Sequence, residues 1–122
     1  MAVTDKQIVG QWGETAARRY LEAKGYQFVI ANWKCKAGEI DLIMWAPDKT
    51  LTFVEVRTRQ PTQFGLGYET VAWQKQKKLI RAAKWYMQKA RYWGDARFDV
   101  VSIVDDGSET PEIEHIEYAF TA

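Results

Sequence analysis

Cysteine and histidine are almost missing from this 122-residue sequence, with Cys35 and His115 each standing alone. A single cysteine excludes an internal disulfide and a cysteine-rich zinc centre. A single histidine excludes His-rich metal sites and most Ser-His-Asp arrangements. Long apolar runs are missing too. The stretch Leu42 to Ala46 is among the longest, far short of the roughly 18 residues that a membrane span needs. The opening residues, Met1 to Gly10, mix Thr4, Asp5, Lys6 and Gln7 with no apolar core, unlike a secretory leader. The sequence therefore predicts a cytoplasmic protein in a reducing compartment, with no membrane partner. Catalysis in such a chain rests on carboxylates, lysine or arginine, and a hard metal ion.

The length suits a single domain spanning 1–122, large enough to bury a core without staples. Apolar residues make up 47% and charged residues 27%, which excludes an intrinsically disordered chain. A net charge of +1 hides a strong asymmetry. From Arg57 to Arg91 there are nine basic residues and one acid, Glu69, a local charge of +8. From Asp105 to Glu117 there are six acids and neither lysine nor arginine. A basic segment of that size attracts polyanions even when the whole chain is near neutral. It also serves as a solvated face paired with acids from elsewhere in a fold.

The spacing predicts a helix from about Lys6 to Lys24, capped by Thr4 or Asp5 and ended by Gly25. Ile8, Trp12, Ala16 and Tyr20 form its apolar stripe, and Glu14 lies in a neighbouring row with Gly10, Ala17 and Leu21. Strands are expected at Tyr26 to Trp33, Gly38 to Trp45 and Leu51 to Thr58, with turns at Lys34 to Ala37 and Ala46 to Thr50. Gln60 to Tyr68, with Pro61, Gly65 and Gly67, reads as a loop. A second helix is expected from Glu69 or Thr70 to Tyr92, burying Leu79, Ala82, Ala83, Tyr86 and Ala90. Strands at Arg97 to Val104 and Glu112 to Ala119 complete the chain. The order α-β-β-β-α-β-β implies an α/β fold, a mixed five-stranded sheet flanked by helices.

Chemistry concentrates on the second and third strands. Alternation puts Glu39, Asp41 and Ile43 on one face, and Phe53, Glu55, Arg57 and Arg59 on one face. A five-residue hairpin connection sets Asp41 opposite Glu55, and a three-residue one sets it opposite Arg57. Either register gathers Asp41, Glu55 and Arg57 within reach of one another. Two carboxylates inside apolar strands repel and are poorly solvated. A divalent cation such as Mg²⁺ relieves this, binding carboxylates together with substrate phosphate. Glu14 supplies a further ligand if the first helix crosses that face. An acid–base ladder, Asp41 to Arg57 and Glu39 to Arg59, satisfies the same residues without metal.

The segments Gly38-Glu39-Ile40-Asp41-Leu42-Ile43 and Phe53-Val54-Glu55-Val56-Arg57-Thr58-Arg59 resemble the PD-(D/E)XK nuclease motif. With Gly13-Glu14-Thr15-Ala16-Ala17, Lys75-Gln76-Lys77-Lys78-Leu79 and Arg97-Phe98-Asp99-Val100-Val101, nearly the whole chain resembles the uncharacterised YraN-type family of small bacterial proteins. That family is known mainly by its likeness to nucleases and archaeal Holliday-junction resolvases. The resemblance implies a restriction-endonuclease-like core and a metal-dependent endonuclease acting on nucleic acid, DNA in the first place, branched or single-stranded. A non-catalytic nucleic-acid-binding module on the same fold is the alternative. Carried over, Glu14, Asp41 and Glu55 are the implied ligands of Mg²⁺ or Mn²⁺, and Arg57 stands where the family pattern has lysine. Glu14, Asp41, Glu55 and Arg57 form the implied catalytic set. Arginine clamps phosphate but stays charged, so it cannot act as a general base. Arg59, Lys75, Gln76, Lys77, Lys78 and Arg81 are the expected nucleic-acid contacts. A homodimer follows by analogy with resolvases.

Most of the six tryptophans are expected to pack in the core, with Trp73 and Trp93, flanking the basic helix, free to stack on unpaired bases. Cys35 reads as an inert turn thiol and His115 as a surface residue. Asp99 reads as a structural acceptor for backbone groups or for Arg97.

Overall fold

Alternation along the strands sorts the apolar side chains onto two faces of one sheet, and a helix covers each face. The structure is a computed structural model that describes residues 5–61 and 71–121, with side chains of the first helix from Gly10 onward. The elements are α1 (Asp5–Ala23), β1 (Gln27–Cys35), β2 (Gly38–Trp45), β3 (Leu51–Arg59), α2 (Trp73–Lys89), β4 (Ala96–Val104) and β5 (Ile113–Phe120). The expected order α-β-β-β-α-β-β holds. The sheet runs β1-β2-β3-β4-β5. It is antiparallel except between β3 and β4, which are parallel. A parallel pair needs a long crossover, and α2 lies within that connection.

On one face α1 sets Ala17 and Leu21 against Leu42, Met44, Val54, Val101 and Ile103. On the other, α2 sets Leu79, Ala82 and Ala83 against Ile40, Ile43, Phe53, Phe98 and Val100. The sheet is thus buried on both sides, which explains the near-continuous apolar runs in β2, β3 and β4. Gly13 lets α1 approach β3 closely, because a Cβ there would collide with Thr58 Oγ1.

Element ends differ from the sequence reading in a few places. Tyr26 precedes β1 rather than opening it, and Lys34 and Cys35 extend the strand instead of beginning a turn. The β1–β2 turn is only Lys36-Ala37, since Cys35 pairs with Gly38. The second helix ends at Lys89 instead of Tyr92. The proposed cap at Thr4, the side chains of Asp5 and Ile8, and the loop residues from 62 through Glu69 and Thr70 lie outside the described residues. Among the described residues, no helix is long and apolar enough to cross a membrane.

Both outer strands are irregular. The β1 register shifts between Phe28 and Ile30, and Asn32 adopts φ 53°. On β5, Tyr118 adopts φ 52°, and the pairing with β4 shifts between Phe98 and Val100. Left-handed backbone is uncommon for residues other than glycine, and asparagine tolerates it best.

Candidate functional site

Trp45 pairs with Leu51 and Leu42 with Val54. This is the register of the five-residue connection, and it carries Asp41 to the level of Glu55 rather than Arg57. The β2–β3 ladder ends there. The amide of Val56, left without a ladder partner on β2, donates instead to Asp41 Oδ2 at 2.9 Å. Asp41 is therefore fixed by the backbone of the strand that carries Glu55.

Glu14 reaches the same place from α1, which the Gly13 contact holds close to β3. Carboxylate oxygens of Glu14, Glu39 and Asp41 all lie within 4.8 Å of one another. Glu39 is a member the sequence reading assigned only to a ladder with Arg59. Its place two residues before Asp41 on the same strand face was the signal that could have found it. Glu55, buried, takes an ammonium from the other helix, with Lys75 Nζ 3.0 Å from Oε1. Four carboxylates from α1, β2 and β3 thus converge beside the first turn of α2.

Their electrostatics follow from crowding. Burial pushes the Asp41 carboxyl up to about 8, and the neighbouring Glu55 and Glu14 add to it, against the Val56 amide, which lowers it. A hydrogen bond between the Asp41 and Glu55 carboxyls favours the same protonated form. Glu14 is raised as well, first by burial and then by Glu39 and Glu55, while a hydrogen bond from Asn32 opposes the rise. The left-handed backbone of Asn32 thus belongs to a residue that serves the site.

Arg57 and Arg59 follow Glu55 along β3 in the alternation. Gln76, expected at a phosphate, donates its amide to the Val71 carbonyl at 2.7 Å and so ties down the start of α2. Lys77 stands 3.6 Å over the ring of Trp73. Lys78 and Arg81 are exposed on α2.

A second ionic cluster lies on β4 and β5, below the end of α1. Asp99 is fully buried. It accepts from Arg97 Nη2 at 3.1 Å, from the Tyr118 amide at 3.1 Å, and pairs with His115 Nε2 at 2.7 Å. Lys24 Nζ meets His115 Nδ1 at 2.7 Å, so the ring bridges Lys24 and Asp99. His115 is not the surface residue its strand pattern suggests, because its side chain is only 2% exposed. Arg97 also donates to the Tyr26 hydroxyl, and that hydroxyl reaches Glu117 at 3.4 Å. Burial pushes the Tyr26 phenol up to about 12, although Arg97 opposes it. For Arg97, burial alone favours the neutral form, yet Asp99, Tyr118 and Tyr26 together outweigh it and hold the guanidinium charged. The expectation that Asp99 accepts from backbone and from Arg97 is met.

Residues 13–103 match the model of a family described as "Uncharacterised protein family UPF0102". The chain belongs to UPF0102. This is the YraN-type family that the sequence resembles. A UPF0102 protein of Pseudomonas putida is 38% identical over 122 residues, covering 98% of each chain. One of Rhodococcus opacus is 39% identical over 113 residues, covering 92% of this chain and 95% of its own. One of Geotalea daltonii is 40% identical over 117 residues, covering 95% of this chain and 91% of its own. The UPF0102 match spans all four carboxylates of the first cluster, and of the second it takes in Tyr26, Arg97 and Asp99 but not His115, Glu117 or Tyr118.

Proposed function

We infer that this UPF0102 protein hydrolyses nucleic-acid phosphodiesters with the help of Mg²⁺ or Mn²⁺, DNA being the first expectation. The observation that carries this reading is the convergence of Glu14, Glu39, Asp41 and Glu55 beside a lysine-bearing helix. The donor set fits a hard cation, because every ligand atom is a carboxylate oxygen. Without one, the cluster holds a proton on Asp41 to a pH well above the usual carboxylate range. Glu14, Glu39 and Asp41 would hold the ion, with Glu55 alongside. Bound there, it supplies Lewis acidity toward a phosphodiester and the attacking water.

The remaining chemistry belongs to the chain. Lys75 brings an ammonium to Glu55, so a phosphate seated at that edge meets Lys75 as well as Arg57. Arg57 binds phosphate as a two-pronged donor, and does not take a proton. The Val56 amide holds Asp41 in place as its partners change. Exposed Lys78 and Arg81 extend the phosphate-binding surface along α2.

The test is cleavage of a labelled panel: four-way junction, flap, single strand, linear duplex and structured RNA. Each is incubated with Mg²⁺, with Mn²⁺ and with chelator, beside Asp41→Ala and Glu55→Ala proteins purified identically. The expected result is metal-dependent cutting that both variants lose. Absence of cutting, or cutting that survives in both variants, overturns the enzymatic reading. Metal-independent binding without cutting would establish the binding-module alternative, which Arg57 at the lysine position favours.

A further inference from the structure

We propose that the outer surface of α2 is a binding track for single-stranded nucleic acid, with Trp73 and Trp85 as stacking platforms for unpaired bases. Two large aromatic rings lie in water among the cations of one helix. Here Trp73 is 65% exposed and Trp85 52% exposed, on a helix whose buried residues are Leu79, Ala82 and Ala83. The same helix carries six basic residues and no acid. Its charge is therefore complementary to a polyanion along its whole length.

The rings and the charges are interleaved. At about 100° per residue, Lys78, Trp85 and Lys89 fall within about 40° of one another on the helix circumference. Trp73, Lys77 and Lys84 fall within a similar arc on a second stripe about 120° round the helix, so a strand meeting both rings crosses the exposed face obliquely. Lys77 already sits 3.6 Å over the Trp73 ring, and most of that ring remains exposed. Flat rings alternating with cations are what a strand of alternating bases and phosphates requires. A duplex keeps its bases stacked on one another and offers the rings nothing. An acidic polypeptide could use the lysines but has no repeating flat faces for the tryptophans.

Trp73 and Trp85 are separated by about 18 Å along the axis, roughly the rise of five stacked nucleotides. The start of this track adjoins the carboxylate cluster through the Lys75–Glu55 ion pair. The binding rests on α2 alone. Only its consequence, delivery of an unpaired segment to the carboxylates, rests on the function proposed above.

The experiment measures fluorescence anisotropy of a labelled oligothymidylate of about 12 nucleotides and of a duplex of equal length, with chelator present so that nothing is cut. Wild type is expected to bind the single strand more tightly than the duplex. Trp73→Ala and Trp85→Ala should each weaken single-strand binding by about 5- to 150-fold, the range for one lost stacking contact. Duplex binding should move less than twofold, and the phenylalanine variants should keep most of the affinity. Both rings are exposed, so circular dichroism of the variants is expected to match wild type. Equal affinity for both forms, unchanged single-strand affinity in the alanine variants, or equal displacement by polyglutamate overturns the proposal. The last result would point to an acidic protein partner. The Asp41→Ala protein, which tests cleavage, is expected to bind the strand as wild type does. Loss of cleavage with no tryptophan effect therefore sinks this inference alone, and the reverse result sinks only the nuclease reading.

Discussion

The two ionic clusters of this fold are built from the same kinds of residue and reach opposite electrostatic outcomes. On β4 and β5, one buried carboxylate, Asp99, has Arg97, His115 and the Tyr118 amide around it. On β2 and β3, Asp41 has three further carboxylates near it, and its fixed donor is the single amide of Val56. In the first cluster the Asp99 charge is matched as folded. The second keeps a proton on Asp41 to about 8, and the proposed cation would relieve that crowding. A buried charge that is already matched is a piece of architecture, whereas a surplus of one sign in a half-buried place is stored affinity for an ion of the other sign.

The largest effect expected from this contrast is on the pH dependence of stability. In the unfolded chain Asp41 releases its proton near its ordinary value of 3.8, and in the metal-free fold it keeps that proton to about 8. Between those values the folded state binds more protons, so stability falls as pH rises, at up to about 1.4 kcal/mol per pH unit for one proton. Urea unfolding at pH 5, 6.5 and 8 in chelator should show the decline in wild type and a flatter profile in Asp41→Asn. Parallel profiles for the two proteins would dissolve the contrast between the clusters.

The next effect separates the clusters by mutation. Asp99→Ala strands the Arg97 guanidinium without its buried partner and should cost about 3–5 kcal/mol. Asp41→Asn removes a mutually repelling carboxylate and should cost far less, or stabilise the metal-free protein at pH 8. Denaturant midpoints for both variants check this, and similar losses would mean that both clusters are structural. The smallest effect concerns the approach of α1. Gly13→Ala forces Thr58 or α1 to shift and should cost about 1–3 kcal/mol. It should also weaken Mn²⁺ binding by displacing Glu14, which isothermal titration would detect.

The division between legible and illegible features has a physical basis. Alternation along β2 and β3 depends only on local backbone geometry, so the approach of Asp41 to Glu55 could be expected from the chain alone. The five-residue connection Ala46 to Thr50 then distinguished Asp41 opposite Glu55 from Asp41 opposite Arg57 only once the pairing was seen. The Lys75–Glu55 contact could not be read, because it depends on where a crossover sets α2 down on the sheet. His115 departs from its sequence pattern for a related reason. The alternating acids of β5 suggested a solvent-facing edge, but the other side of that strand packs against Tyr26 and Asp99, which come from distant parts of the chain. The β1–β2 turn was overestimated because Lys34 and Cys35 carry no mark of either state, whereas pairing across Lys36-Ala37 places both in the strand.

The kinks in the outer strands bear on how this protein behaves in a crowded solution. A sheet with straight, unpaired edges is a template onto which another chain can add strand by strand. Here the left-handed Asn32 and the shift beside Ile30 interrupt one margin, and the left-handed Tyr118 interrupts the other. Neither margin offers an unbroken row of amides and carbonyls to a newcomer. Strand-by-strand growth of the sheet is thereby discouraged at both ends.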